Sequence, residues 1–232
     1  MSGQGGTCFW INPFTKALLE QLGHTTYLIS GKAIPVMDIK QIPTHISTII
    51  CDVSYPGSRH LVDPGIGWPL IEAVPLDIER ESPEYKVHKL RTKFFKREDG
   101  NLVLGIPSST QVPGSQVISD SNGESWQLKI AYWLNDRISG STSVGLWQDF
   151  AKHGSSFPKP FDRLLFFTFL NEKKISIVSS DGKTHATFYN LKDHTTERIT
   201  MTKKELTNFF VEHYPQYSVK KLEEVFAVCK LV

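Results

Sequence analysis

The sequence predicts an α+β fold, and three observations carry that reading. Apolar residues recur at helical spacing near the two ends of the chain. The stretch between them reads as strands and turns. The order helix, strands, long loop, strands, helix lacks the alternation that a parallel βαβ sheet needs. With 232 residues, 40% of them hydrophobic and 22% charged, the chain is long enough to bury a sizeable core in one large or two small domains. A net charge of +2 leaves no electrostatic footprint for nucleic acid or acidic membranes. The longest apolar runs, Ile46 to Val53 and Leu164 to Phe167, are too short to span a bilayer, and no secretory signal is visible. Three widely spread Cys do not form a disulfide framework, so a cytoplasmic protein with reduced thiols is expected.

In chain order, residues 12–22 read as a helix. Asn12 suits an N-cap, Pro13 the first helical position, and Gly23 a stop, with Ile11, Phe14, Leu18 and Leu22 on one face. The helix can instead begin at Cys8, which would put a thiol at a helix N-terminus, where thiolates are favoured. Strands are expected over 25–29, 45–54 and 59–63, the last two forming an antiparallel hairpin around Pro56-Gly57-Ser58. Residues 64–69 form a loop with two glycines and two prolines. A strand over 85–97 turns at Asp99-Gly100 into a return strand at 102–104. Residues 105–125 read as an exposed loop, 126–135 as a strand and 144–152 as a short helix. Strands at 163–170, 174–179 and 184–191 follow, with a hairpin turn at 180–183. Thr202 to Glu205 is a capping box opening a helix with Leu206, Phe209, Phe210 and His213 inward, and 218–228 is helical again.

Cys8 is the cysteine placed for chemistry, because Gly5 and Gly6 precede it and three further features go with it. His45 begins one strand of the hairpin, Asp63 ends its partner, and Gly65 and Gly67 follow. A hairpin brings its far ends together, so His45 and Asp63 become neighbours. An Asp fixes the tautomer of an imidazole, and an imidazole beside a thiol gives a nucleophilic thiolate–imidazolium pair. Cys51 and Cys229 read as small buried hydrophobes, His60 and His88 as surface residues, and Trp68 as packing. The basic run Lys86, Lys89, Arg91, Lys93, Lys96 and Arg97 reads as a solvated strand face that could alternatively meet cofactor phosphates. No spacing of Cys or His suits a metal site.

The stretch Gly5-Gly6-Thr7-Cys8-Phe9 with Asn12 and Leu22-Gly23 resembles the nucleophile motif of the arylamine N-acetyltransferases, Arg-Gly-Gly-x-Cys-Phe-Glu-x-Asn. Thr44-His45 resembles the family's His strand, and Val62-Asp63-Pro64-Gly65-Ile66-Gly67 its Val-Asp-x-Gly-x-Gly stretch. The spacings, 37 residues from Cys8 to His45 and 18 from His45 to Asp63, agree as well. The resemblance covers roughly residues 3–80. It implies a papain-like Cys-His-Asp core with a partial helical first domain over 1–24, a β-barrel domain over 25–135 and an α/β C-terminal lid domain over 136–232. It further implies that Cys8 is the nucleophile, His45 its base and Asp63 the orienting acid. Gly65 and Gly67 would lie near the pyrophosphate of coenzyme A, with Ser155 and Ser156 as a Ser-rich stretch beside it. The expected reaction is ping-pong transfer of an acetyl or other acyl group from acyl-CoA, a co-substrate and not a permanently bound cofactor, to an arylamine, arylhydrazine or arylhydroxylamine. Three departures stand out. The motif's Arg is absent and its Glu is Trp10, and only seven residues precede Cys8, so the chain reads as N-terminally truncated relative to the family. A non-catalytic truncated member of the fold is therefore the alternative reading, and a Cys-triad hydrolase the third.

Overall fold

A computed structural model of the chain describes residues 7–34, 43–68, 70, 72–87, 90–108, 116–139, 142, 145, 165–170, 173–180, 183–190, 192–193 and 195–228. The chain divides into two compact units, Gly5–Phe150 and Ala151–Val232.

The first unit pairs one helix, α1 (Cys8–Gln21), with a nine-stranded antiparallel sheet. The strands are β1 (Thr26–Ala33), β2 (His45–Cys51), β3 (Arg59–Val62), β4 (Val74–Pro75), β5 (Tyr85–Val87), β6 (Leu90–Lys96), β7 (Leu102–Pro107), β8 (Val117–Ser119) and β9 (Ser125–Ile138). Their order is β4-β3-β2-β1-β9-β7-β6-β5, with β8 also on β9. The sheet curls into a half-barrel, and two register shifts help to bend it. They fall between Ile29 and Gly31 of β1 and between Leu104 and Gly105 of β7. Gly31 is required there: a Cβ would meet the carbonyl oxygen of Ala131 at 2.6 Å. This is why β1 runs on to Ala33 rather than ending at the Ser30-Gly31 pair.

Strand alternation fills both faces of the sheet. Phe94, Leu102, Leu104, Ile130 and Tyr132 join Ile29, Ile49 and Leu61 on one side. Phe95, Val103, Trp126 and Leu128 pack on the other. Each such fully buried side chain stabilises the unit by about 1.5–3 kcal/mol.

Several expectations are corrected. The run 85–97 is two strands, because Val87 and Leu90 pair directly and make β5 and β6 a hairpin, which explains its imperfect alternation. The expected loop over 105–125 contains β8, held by a turn in which Asp120 Oδ1 accepts the N–H groups of Asn122 and Glu124. The basic run is solvated only at its ends, where Lys86 and Arg97 are exposed, and not at its centre. Lys93 is 6% exposed and donates to Glu81 and Asp120 at 2.9 Å each. Arg91 forks between Glu84 and Glu124 and lies over the Trp126 ring. With these carboxylates in contact, its two central cations are not available to phosphates. Lys89 and His88 lie outside the described residues, as do Cys229 and all of the expected 144–152 helix except Gly145.

The second unit is a four-stranded antiparallel meander, β10 (Leu165–Leu170), β11 (Lys173–Ser180), β12 (Lys183–Asn190) and β13 (Thr196–Met201), followed by α2 (Lys203–His213) and α3 (Val219–Val228). The capping box forms as expected: Thr202 Oγ1 accepts the Glu205 N–H and Glu205 accepts the Thr202 N–H. Leu206, Phe209 and Phe210 of α2 and Leu222 and Phe226 of α3 bury against Ile175, Ile177, Ala186 and Met201. Strand β13 escaped sequence reading because its residues are exposed up to Met201, leaving no alternation to detect.

Candidate active site

Helix α1 starts at Cys8, as in the alternative reading, and not at residue 12. Thr7 is the N-cap, in extended conformation, and its carbonyl accepts the N–H groups of Trp10 and Ile11 at 2.9 Å. Pro13 therefore sits inside the helix, where it has no N–H to give the preceding turn. Asn12 is not a cap because its amide is committed elsewhere. Fully buried, its side-chain nitrogen donates to the Ile46 carbonyl at 2.6 Å and to Asp63 Oδ1 at 2.9 Å, while its backbone carbonyl accepts the Thr48 hydroxyl. The buried face of α1 is thus Phe9 and Asn12. The expected apolar stripe points outward, with Phe14 53%, Leu18 49% and Leu22 66% exposed, and Trp10 joins it.

Gly65 brings α1 against the loop after β3. A Cβ there would stand 2.7 Å from Asn12 Nδ2, 2.8 Å from Cys8 Cα and 3.0 Å from Cys8 Cβ. Gly67 has another role: it closes the short 3₁₀ turn Pro64–Ile66 at φ 72°, in left-handed conformation, with open space around its Cα. Ser155 and Ser156 lie outside the described residues.

The structure brings Cys8, His45 and Asp63 together. His45, the first residue of β2 and 4% exposed, places Nε2 2.6 Å from Asp63 Oδ2. That leaves Nδ1 for the hydrogen bond between the imidazole and the Cys8 side chain. Asp63, 2% exposed, is the hub. Its Oδ2 also accepts the Ser47 and Tyr132 hydroxyls, both at 3.0 Å, and its Oδ1 accepts Asn12. Four converging donors satisfy a charge that burial alone would penalise. The Tyr132 ring also meets the His45 ring edge-on at 5.9 Å.

Burial works against a charged His45, but the Asp63 carboxylate and then the Cys8 sulfur, with hydrogen bonds from both, outweigh it and raise the imidazole from 6.5 to about 10. Burial, reinforced by the Asp63 charge and hydrogen bond, pushes Tyr132 well above the usual phenol range, so it stays a neutral donor. The first helical position of a 14-residue helix with no acidic residue in its first turn adds a favourable dipole at Cys8. The assembly can hold a thiolate–imidazolium pair ready to attack a carbonyl carbon.

A folded-state rise at His45 has a stability consequence. The protonated form contributes fully below about pH 6.5, the unfolded value, and this contribution fades as pH climbs toward about 10. Urea midpoints are expected to fall across that window in the parent protein and to fall less in His45→Gln.

Sequence reasoning missed Ser47 and Tyr132 and gave Asn12 another role. Asn12 is four residues after Cys8 and Ser47 two after His45, so each shares a face with its neighbour once the element boundaries are known. Nothing local separates Tyr132 from a packing aromatic. His60 is likewise buried, at 7% exposure, with Nε2 3.0 Å from Ser54 Oγ, and is not a surface residue.

A family model described as N-acetyltransferase matches residues 1–117. No curated protein matches the chain significantly. Among solved structures, the arylamine N-acetyltransferase of Mycobacterium smegmatis is 19% identical, with a TM-score of 0.68, over 99% of this chain and 76% of that one. That of Mycobacterium marinum, in complex with CoA, is 18% identical, with a TM-score of 0.68, over 98% of this chain and 77% of that one. That of Salmonella typhimurium is 14% identical, with a TM-score of 0.67, over 97% and 76%. Among the described residues no helix is long and apolar enough to cross a membrane. With a family match over half its length and the same fold as these enzymes, the chain belongs to the arylamine N-acetyltransferase family.

Proposed function

We propose that this chain transfers an acetyl or other acyl group from acyl-CoA to the nitrogen of an arylamine, arylhydrazine or arylhydroxylamine, by a ping-pong route through acyl-Cys8. The observation that carries this reading is the alignment of Asp63, His45 hydrogen-bonded to it at 2.6 Å, and Cys8, whose sulfur acts on the imidazole from the N-terminus of α1.

In the first half-reaction the Cys8 thiolate attacks the thioester carbonyl. The carbon–sulfur bond to CoA breaks, and the His45 imidazolium gives its proton to the departing CoA thiolate. In the second, the acceptor nitrogen attacks acyl-Cys8 and passes a proton to the now neutral His45. The Cys8 thioester bond breaks, regenerating the thiolate–imidazolium pair. Asp63 holds the imidazole orientation throughout and stabilises its cationic form. Gly65 and Gly67 are assigned to the neighbourhood of the CoA pyrophosphate, and a division into 1–24, 25–135 and 136–232 goes with the reading. The solved Mycobacterium marinum relative, bound to CoA, supports the donor class.

The test is steady-state turnover with acetyl-CoA and an arylamine. Double-reciprocal plots are expected to give parallel lines, with one equivalent of CoA released per chain in the absence of acceptor and continuous release only as acceptor is consumed. Release of CoA at equal rate with and without acceptor would favour thioester hydrolysis. The exposed stripe Trp10, Phe14, Leu18 and Leu22 favours a second reading, a non-catalytic member of the fold. Absence of any turnover would select it.

A further inference from the structure

Among the described residues, Asp63 Oδ2 carries three donors, His45 Nε2, the Ser47 hydroxyl and the Tyr132 hydroxyl, whereas Oδ1 carries only Asn12. The hairpin itself sets this imbalance. Thr48 pairs with Val62, so the register places Ser47 across from Asp63, and its hydroxyl reaches the carboxylate directly. His45, two residues earlier on the same face of β2, approaches the same oxygen diagonally. A carboxylate oxygen has two in-plane lone pairs, so the third donor competes with the others for its electron density. Ser47 is 1% exposed, so losing its hydrogen bond is not readily made good by bulk solvent.

This competition matters because the reaction proposed above asks two opposite things of His45. It must be protonated to stabilise the Cys8 thiolate and discharge CoA. It must then be neutral in the acyl-enzyme to accept the proton of the attacking nitrogen. A carboxylate that holds the imidazolium too tightly favours the Cys8 thiolate but blocks the second demand. The charged and titratable groups facing His45 are Cys8 from α1, Asp63 after β3 and Tyr132 from β9. Cys8 loses its charge on acylation, which leaves Asp63 as the anion that decides whether the acyl-enzyme's base is free.

The geometry points to Ser47 as a positioning residue that draws charge from Asp63 Oδ2 and so loosens its hold on the His45 imidazolium, tuning the acceptor half-reaction. The inference rests on the acyl-transfer reading for its consequence but not for its measurement. Deleting the hydroxyl concentrates the carboxylate charge on the imidazole, so the imidazolium becomes harder to deprotonate.

The test is a pH titration of His45 by nitrogen NMR on histidine-labelled protein, with no substrate present. Ser47→Ala is expected to raise the His45 midpoint by about half a pH unit, from the loss of one hydrogen bond to its counter-ion. Ser47→Thr, which keeps the hydroxyl, is expected to titrate with the parent. Ser47→Gly, which also removes the hydroxyl, reads the same quantity should Ser47→Ala fail to fold, and is expected to raise the midpoint likewise. An unmoved or lowered midpoint in Ser47→Ala, or a shift in Ser47→Thr, overturns the assignment. Single-turnover rates provide a second arm. Ser47→Ala is expected to slow discharge of acyl-enzyme to the acceptor at neutral pH several-fold more than it slows acylation. Equal slowing of both half-reactions would mark a merely structural role. Failure of acetyl-CoA to acylate any variant would remove the functional reading while leaving the titration result standing.

Discussion

Asp63→Asn is expected to lower kcat/KM for acetyl-CoA by about 10³–10⁴-fold, the scale on which an orienting carboxylate matters in a nucleophile–imidazole pair. The site makes this substitution especially unfavourable. Every neighbour of the carboxylate is a donor: His45, Ser47 and Tyr132 at Oδ2 and Asn12 at Oδ1. An amide must turn its own NH₂ toward one of these groups. With its oxygen toward His45 it sets two amide donors, its own and that of Asn12, against each other. The other way round, it presents N–H to the imidazole, selects the wrong tautomer and disrupts the bond to Cys8. In either arrangement the charge that holds the imidazolium is gone. The loss should lie in the chemical steps, with little change in acetyl-CoA binding, and stopped-flow acylation rates separate the two. A variant within tenfold of the parent would contradict the role given to Asp63.

Gly65→Ala is the second large effect. Two of the three atoms its Cβ would meet belong to Cys8, and one of these, at 2.8 Å, is backbone and cannot rotate away. The third is the Asn12 amide nitrogen that holds Asp63. Relief therefore has to come from moving the start of α1 away from the loop that carries Asp63. Overpacking of this kind costs about 1–3 kcal/mol of stability, and a displacement near 1 Å at a reacting group costs about 10²-fold in rate. Gly67→Ala is the informative control. It forces a side chain into left-handed backbone, yet nothing lies within 4 Å of the added atom. It should lower stability by about 1 kcal/mol while leaving thiol reactivity near the parent's. Comparable kinetic losses in the two variants would show that the loop matters as a whole, not through its contact with Cys8.

The core of the site was legible because it follows from rules that local sequence obeys. A turn at Pro56-Gly57-Ser58 flanked by β-branched runs makes a hairpin, and the hairpin brings His45 and Asp63 together whatever else the chain does. What local sequence could not show was decided by tertiary contacts. Asn12 followed by Pro13 looks like a helix start, but the amide has better partners in Ile46 and Asp63, so the helix starts four residues earlier and carries its proline inside. The same displacement turns Phe14, Leu18 and Leu22 outward, against their hydrophobic spacing. Tyr132 reaches Asp63 from a strand 69 residues away, a convergence that no window of sequence contains. The buried Lys93 and half-buried Arg91 likewise looked solvated because their carboxylates, Glu81, Asp120, Glu84 and Glu124, come from other segments.

The most direct measurement is intact-protein mass spectrometry after exposure to acetyl-CoA alone. One acetyl group is expected on the parent chain, none on Cys8→Ala, and the group should leave the parent when an arylamine is added. An unmodified parent, or an adduct that persists in Cys8→Ala, would contradict the assignment of Cys8 as the nucleophile.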